Sequence, residues 1–161
     1  MPCLQYSNNR RLYTLTIENA IQLEIIEPLK AAIIRDDMVA TGALLNSVRF
    51  EKNESLGVLS YDIIALDYIE GLDQGVAPGE TPYPSIEEII KWIDAKGLDL
   101  NPYAVRNSII SNGTTWYRQG GSHIVTDSVN AESFNKVIAL AMPDIKNNIK
   151  ETWQLLFKNN R

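Results

Sequence analysis

The sequence has few of the residues that build metal and thiol sites. Among its 161 residues there is one cysteine, Cys3, and one histidine, His123. A single cysteine excludes an internal disulfide, and a structural zinc site needs several cysteine or histidine ligands. The two residues lie 120 positions apart, so no local pattern supports a Cys/His catalytic pair. We therefore expect neither a zinc site nor a thiol enzyme.

The chain also lacks an excess of positive charge and any long apolar run. Its formal net charge is −5, whereas a domain that binds DNA or RNA usually carries a basic face. No stretch approaches the roughly 20 apolar residues that span a bilayer, and the first residues contain no apolar run of signal-peptide type. These absences predict a protein that is made in a cytoplasm, does not grip nucleic acid and does not cross a membrane.

Apolar residues at helical spacing predict a first helix that starts at Thr16. Ile17, Ile21 and Ile25 recur every four residues, and Thr16 is a suitable N-cap. Pro28 does not fit a regular helix interior, because it lacks a hydrogen-bond donor and its ring clashes with the preceding turn. The helix is therefore expected either to kink at Pro28 or to begin again there.

A β-hairpin and a short later strand are predicted as well. Residues 47–51 alternate polar and apolar side chains, and residues 56–66 form a nearly continuous run rich in β-branched and aromatic residues. The polar stretch 52–55 joins them as a turn, which predicts an antiparallel hairpin. Residues 123–126 have the pattern of a short third strand.

Three further helices have clear end signals. Ser85 and Glu88 have the spacing of a capping box, and Gly97 is a typical stop for the helix that follows them. Asn101 and Asn130 are suitable N-caps for the next helix and for a long C-terminal one. The expected fold class is therefore α+β, an antiparallel sheet packed against N-terminal, middle and long C-terminal helices. A length of 161 residues fits one domain, residues 1–161.

Carboxylates are the only remaining catalytic candidates. Glu70 and Asp73 lie beside a loop rich in glycine and proline, residues 71–84, and Asp127 follows His123. A divalent metal held by these three acids would make the chain a small hydrolase or nuclease. Surface acids show the same spacing, however, so the pattern is weak. We favour the alternative that Glu70 accepts hydrogen bonds from backbone amides of the loop.

A second loop, residues 113–122, carries Trp116, Tyr117 and Arg118 between glycines. These residue types dominate hot spots of protein interfaces. The loop either reaches out to a partner or places Trp116 in the core as an anchor. Stacking on a nucleic-acid base is a third option, which the acidic balance disfavours. An adaptor that binds one partner protein through this loop is therefore a second alternative function.

Several short motifs follow one another through the middle of the chain. Residues 41–47 read TGALLNS, and residues 67–70 read DYIE before the glycine- and proline-rich loop. A helix that contains Trp92 leads into KGL at residues 96–98, and the next helix closes on NGT at residues 112–114. This order resembles that of the small head–tail connector or tail-completion proteins of tailed bacteriophages.

The resemblance covers about residues 38–116 and implies a non-enzymatic structural protein of the virion. Such proteins form a homo-oligomeric ring, of six or twelve subunits, in the neck between the head and the tail. The implied partners are a portal or adaptor protein and tail proteins, and DNA passes through the ring without specific binding. The resemblance also implies assembly in the host cytoplasm, no cofactor and no membrane.

A ring subunit reaches its neighbours through arms and loops. We expect three of them, formed by residues 1–13, 71–84 and 113–122. The arm 1–13 is polar and predicts a mobile segment, with ordering on a neighbouring subunit as the alternative. The helix after loop 71–84 is expected to pack on the hairpin and to hold that loop outward. The candidate contact residues are Glu70, Asp73, Tyr83, Trp116, Tyr117 and Arg118.

Overall fold

Nine α-helices and one two-stranded antiparallel sheet make up the part of the chain that the structure describes. The computed structural model describes residues 16–56, 58–80 and 83–158, without the side chains of 155–158. The predicted α+β class is confirmed, and the arm 1–13 lies outside the described residues. The elements are, in chain order, α1 Ile17–Ile21, a π-helical turn Gln22–Ile26, α2 Glu27–Arg35, α3 Ala43–Ser47, β1 Arg49–Ser55, β2 Val58–Ile64, α4 Ile69–Asp73, α5 Ile86–Lys96, α6 Pro102–Asn112, α7 Thr115–Gln119, α8 Ile124–Ser128 and α9 Ala131–Lys158.

One helical segment, residues 17–35, forms the centre of the core. Thr16 caps it through its side chain, as predicted. The π-helical turn lies directly before Pro28, and the N–H of Glu27 reaches back five residues to the carbonyl of Gln22. This wider turn gives room to a ring that would clash in a regular helix. The chain therefore stays helical through Pro28, with the distortion one turn before it.

The core consists of this helical segment together with α8, α9 and the base of the hairpin. In α9, which continues through the proline at position 143, Val137 and Ala141 are buried, whereas Phe134 and Ile138 are about half exposed. Asn130 caps α9 as predicted, because its side-chain oxygen accepts the N–H of Ser133 at 3.0 Å. The buried cluster comprises Ala20, Ile21, Ile25, Ile26, Leu29, Ala32, Ile33, Leu44, Val48, Ile124 and Val137.

Strands β1 and β2 form the predicted antiparallel hairpin. Arg49 lies opposite Ile64 at its base, and Ser55 lies opposite Val58 at its tip. The stretch 52–55, predicted as the turn, belongs instead to β1. Lys52 bonds to α1 and Asn53 bonds to β2. The residues are therefore polar because the strand is exposed, and not because they form a turn.

The third strand predicted at residues 123–126 is wrong, because residues 124–128 form helix α8. His123 directly before it has a φ of 57°, in the left-handed region that breaks a strand. The β-branched residues here suggested a strand, but a carboxylate from a distant part of the chain caps the helix instead. The sheet within the described residues therefore has two strands.

Helices α5 and α6 form a pair beside the core. The capping box of Ser85 and Glu88 is present, and Gly97 takes a left-handed φ of 62°, both as predicted. Ile89 and Ile93 of α5 are buried, but α5 packs mainly on α6 and not on the hairpin as expected. The α5–α6 pair therefore does not serve as the predicted link between the loop and the hairpin.

Candidate functional site

The two loops that the sequence predicts as separate projections are docked on each other. Residues 72–80 run along residues 110–126, and we call these two segments the docked loop pair. The N–H of Thr114 donates to the carbonyl of Val76 at 2.9 Å, and the N–H of Val76 donates to the Thr114 hydroxyl at 2.9 Å. The N–H of Gly79 donates to the last turn of α6. Instead of two arms, the chain has one bonded unit.

Two glycines make this close approach possible. A Cβ atom on Gly75 would lie 2.1 Å from the backbone nitrogen of Tyr117, and one on Gly113 would lie 2.7 Å from the carbonyl oxygen of Val76. Both glycines also have positive φ angles, 79° and 71°. Any other residue would collide with backbone atoms and be strained. Gly75 and Gly113 therefore permit a tight contact between the loops.

Asp73 fixes the other end of the docked loop pair. Its side chain is only 6% exposed. The carboxylate accepts the N–H of Val125 at 2.7 Å and both the N–H and the hydroxyl of Thr126, at 3.3 and 2.7 Å. Its backbone carbonyl accepts the N–H groups of Ser122 and His123. The carboxylate thus accepts hydrogen bonds from the first backbone N–H groups of α8. These groups have no side-chain cap from His123, the residue at the N-cap position.

Asp73, and not Glu70, is therefore the acid that anchors the loop. Glu70 is exposed and its side chain makes no hydrogen bond with a described residue, so the predicted role in bonding loop amides is wrong. Asp73 was expected to contact a partner, but its carboxylate is used inside the chain. No group of three or more His, Cys, Asp or Glu among the described residues can hold a metal ion. The acids Glu70, Asp73 and Asp127 thus form no metal site there.

The three predicted hot-spot residues lie on the short helix α7, within the docked loop pair. Trp116 is partly buried, Tyr117 is 45% exposed and Arg118 is exposed. The guanidinium of Arg118 donates to the hydroxyl of Thr115 at 3.2 Å. Tyr83, the remaining candidate, is partly buried just before α5. Tyr117 and Arg118 therefore present side chains at the surface from a helical turn rather than from a free loop.

Outside the docked loop pair, most of the exposed large apolar side chains lie in three regions. They lie at the tip of the hairpin, on the α5–α6 pair and along α9. Sequence reasoning missed the first region, although apolar residues at the connection of a hairpin were a visible signal. The residues are Leu56, Val58 and Leu59 in the first region, Ile90, Trp92, Leu98, Leu100 and Tyr103 in the second, and Phe134, Ile138, Ile145, Ile149 and Trp153 in the third.

The hairpin tip places an apolar side chain directly in solvent. Leu56 is fully exposed and has a φ of 51°. A left-handed conformation costs a non-glycine residue about 1–2 kcal/mol. The fold thus holds the Leu56 side chain outward in spite of backbone strain.

The middle of the hairpin is fixed to α1 through Glu18. Its carboxylate accepts hydrogen bonds from the Lys52 ammonium at 3.0 Å and the Tyr61 hydroxyl at 2.9 Å. A backbone hydrogen bond at Glu18 itself, together with those from Lys52 and Tyr61, lowers the pKa of this carboxyl to about 2. Tyr61 also packs edge-on against Phe50. The middle of the hairpin is therefore held firmly while the tip projects.

The chain exposes more surface than a compact monomer of its mass. Its accessible surface is 12070 Å², against about 8,100 Å² for a monomeric globular protein of this size. Counting every residue outside the described ranges as unfolded chain raises the expected area only to about 10,700 Å². The remaining excess, more than about 1,000 Å², is larger than the area that one partner buries in a standard interface.

A scan against protein-family models finds no match for this chain, and searches of curated proteins and of solved structures find no similar protein. Among the described helices, none is long and apolar enough to cross a membrane. Inference of function therefore rests on the motifs of the sequence and on the surface of the fold.

Proposed function

We propose that the chain is a structural virion protein of a tailed bacteriophage, which assembles as a ring in the neck and joins the head to the tail. The observation that carries the proposal is the exposed apolar surface on separate parts of one subunit. A subunit that closes a ring makes a different contact on each of its two sides. The hairpin tip and α9 supply two such surfaces. The excess accessible area is large enough to account for surfaces that are buried only after assembly.

The motif that begins the resemblance has a clear structural purpose in this chain. In TGALLNS, Gly42 takes a left-handed φ of 78° directly before α3, and Leu44 is buried in the core. The hydroxyl of Ser47 donates to the carbonyl of Leu44 at 2.7 Å and accepts the N–H of Leu66 at 3.1 Å. The motif therefore joins α3 to the segment that follows the hairpin.

The charge of the chain also suits a channel for DNA. With a formal net charge of −5, a ring of these subunits repels phosphate more than it binds it. DNA would then slide through the lumen without specific contacts. The partners under this proposal are further copies of the chain, a portal or adaptor protein on one side and tail proteins on the other.

Light scattering on a size-exclusion column, followed by electron microscopy, tests the proposal. We expect a closed ring with a constant number of subunits and a central channel wide enough for double-stranded DNA, formed by the chain alone or on a portal assembly. The protein should also be found in purified virions by mass spectrometry. A stable monomer that associates with neither portal nor tail components would overturn the proposal.

An adaptor that binds one partner protein remains the second candidate, because Tyr117 and Arg118 are exposed on a rigid turn. This candidate predicts a one-to-one complex instead of a ring. Replacing both residues by alanine should then abolish that complex without changing self-assembly. Loss of ring formation in the same variant would instead assign α7 to the contact between subunits.

A further inference from the structure

The outer half of the hairpin is an apolar tip with acidic sides. Every described residue from 51 to 60 is exposed, and the tip carries Leu56, Val58 and Leu59. Glu54 lies opposite Leu59 in the strand register, directly beside the tip. Beyond the Lys52–Tyr61 pair, which is bonded to α1, three residue pairs extend the tip by about 10 Å. This part of the ribbon makes no core contact in its own chain.

A pair of acids further along the ribbon adds to its negative charge. Glu51 lies directly opposite Asp62, an arrangement that destabilises an isolated strand pair. Arg49 bonds to Glu51 at 2.6 Å, and the amide of Asn53 bonds to Asp62 at 2.6 Å. The hairpin thus contains two carboxylates directly opposite each other, and each of them is stabilised by a bond from a neighbouring side chain. A basic partner surface would offset the remaining repulsion.

The outer half of α9 has the opposite character. Residues 145–154 are all exposed, and Ile145 and Ile149, at 40% and 53%, lie about 40° apart around the helix. Lys146 and Lys150 follow these isoleucines on one flank. Neither lysine makes an ion pair with a described residue. This part of α9 is therefore an apolar stripe with a basic side.

We propose that the hairpin tip of one copy packs on the outer half of α9 in the next copy. The exposed helix is about 15 Å long, enough for the projecting tip to lie along it. Acidic residues stand on both faces of the ribbon, Glu54 on one and Glu51 with Asp62 on the other, so the face that packs on α9 brings an acid towards Lys146 and Lys150. Because Leu56 is fully exposed, the tip does not contact α9 of its own chain. The contact joins two different surfaces and can repeat around a ring. It rests on the proposed function, since it names the surfaces through which the ring closes.

Paired charge reversals test the contact. One variant carries Glu51→Lys and Glu54→Lys in the hairpin, and the other carries Lys146→Glu and Lys150→Glu in α9. Each alone brings like charges together at every contact, so we expect its half-assembly concentration to rise at least about tenfold. In an equimolar mixture the two variants can alternate, with opposite charges at each contact. We expect the mixture to assemble within about threefold of the unmodified chain, measured by light scattering.

The opposite flank of α9 provides a matched control. Asp144→Lys with Glu151→Lys changes the charge by the same amount on the same helix, and should leave assembly within about threefold of the original. Circular dichroism checks that all variants fold. The contact would be overturned if either reversed variant assembled normally, or if the mixture failed to assemble. In both cases, ring formation by the unmodified chain would still support the proposed function. An unmodified chain that stays monomeric overturns both. A mixture that assembles into open chains supports the contact and contradicts the ring.

Discussion

The carboxylate of Asp73 accepts the backbone N–H of Val125 at 2.7 Å, across 52 positions of the sequence. Asp73 is the last residue of α4, and its buried side chain caps the start of α8. The docked loop pair lies between these two helices along the chain. Asp73 therefore links α4 to α8, alongside the hydrogen bonds that join the two loops directly.

Replacement of Asp73 by alanine should lower the free energy of unfolding by about 3 kcal/mol. The change removes the acceptor of three hydrogen bonds and leaves the N–H of Val125, a partly buried residue, without its partner. Urea unfolding followed by circular dichroism measures the effect. Glu70→Ala is the control, since Glu70 lies on the same helix but is exposed, and its effect should stay within about 0.5 kcal/mol. Equal effects of the two variants would contradict the role of Asp73.

Alanine substitutions at two glycines with the same backbone conformation distinguish the cost of backbone strain from the cost of a steric clash. Gly75 and Gly79 have φ angles of 79° and 78°, but a Cβ on Gly75 would meet the backbone of Tyr117 whereas one on Gly79 has open space around it. Gly79→Ala should therefore cost only the left-handed strain, about 1 kcal/mol. Gly75→Ala should cost at least about 2 kcal/mol more, since the loops must separate. Denaturant midpoints of the two variants check this difference, and similar values would show that the loops are not closely docked.

The helix ends could be predicted from sequence because their signals are local. Ser85 and Glu88, or Asn130 and Ser133, satisfy each other within one helical turn. Helix α8 had no such signal, because the acid that caps it lies about 50 positions earlier. Its β-branched residues therefore favoured a strand, and the cap from Asp73 becomes visible only in the folded chain.

The candidate site was predicted less well for a similar reason. A glycine-rich loop can reach outward or permit a close approach, and the sequence does not distinguish the two. The deciding contact, between Gly75 and Tyr117, joins residues that lie far apart in the chain. Leu56 was assigned to the second strand, since its positive φ becomes visible only once the register of the hairpin is known.

The free energy of unfolding should decrease at low pH because Glu18 becomes protonated. The pKa of this carboxyl is about 2 in the folded chain against 4.5 for an unperturbed glutamate, so its contribution is complete above about pH 4.5 and is lost as the pH falls towards 2. The side chain is 34% exposed, so screening by solvent reduces the contribution to roughly 1 kcal/mol.

Glu18→Gln should therefore be less stable than the original chain at neutral pH and should match it near pH 2. Thermal unfolding across this range measures the difference. Glu151→Gln, an exposed acid of α9 that bonds to no described residue, should leave the pH profile unchanged. Parallel profiles for the original chain and Glu18→Gln would show that the carboxylate does not hold the middle of the hairpin.

Leu56→Asn should make the subunit more stable and the assembly weaker. Asparagine tolerates the left-handed conformation better than leucine, so relief of strain at φ 51° should raise the free energy of unfolding of the monomer by about 0.5–1 kcal/mol. The same change removes the apolar side chain at the tip, so association of copies should weaken about tenfold. Unfolding of the dilute monomer and light scattering at high concentration measure the two effects separately. Leu59→Asn, next to the tip at a regular strand position, should weaken assembly without the gain in stability. If Leu56→Asn left assembly unchanged, the strained leucine would have no part in joining the subunits.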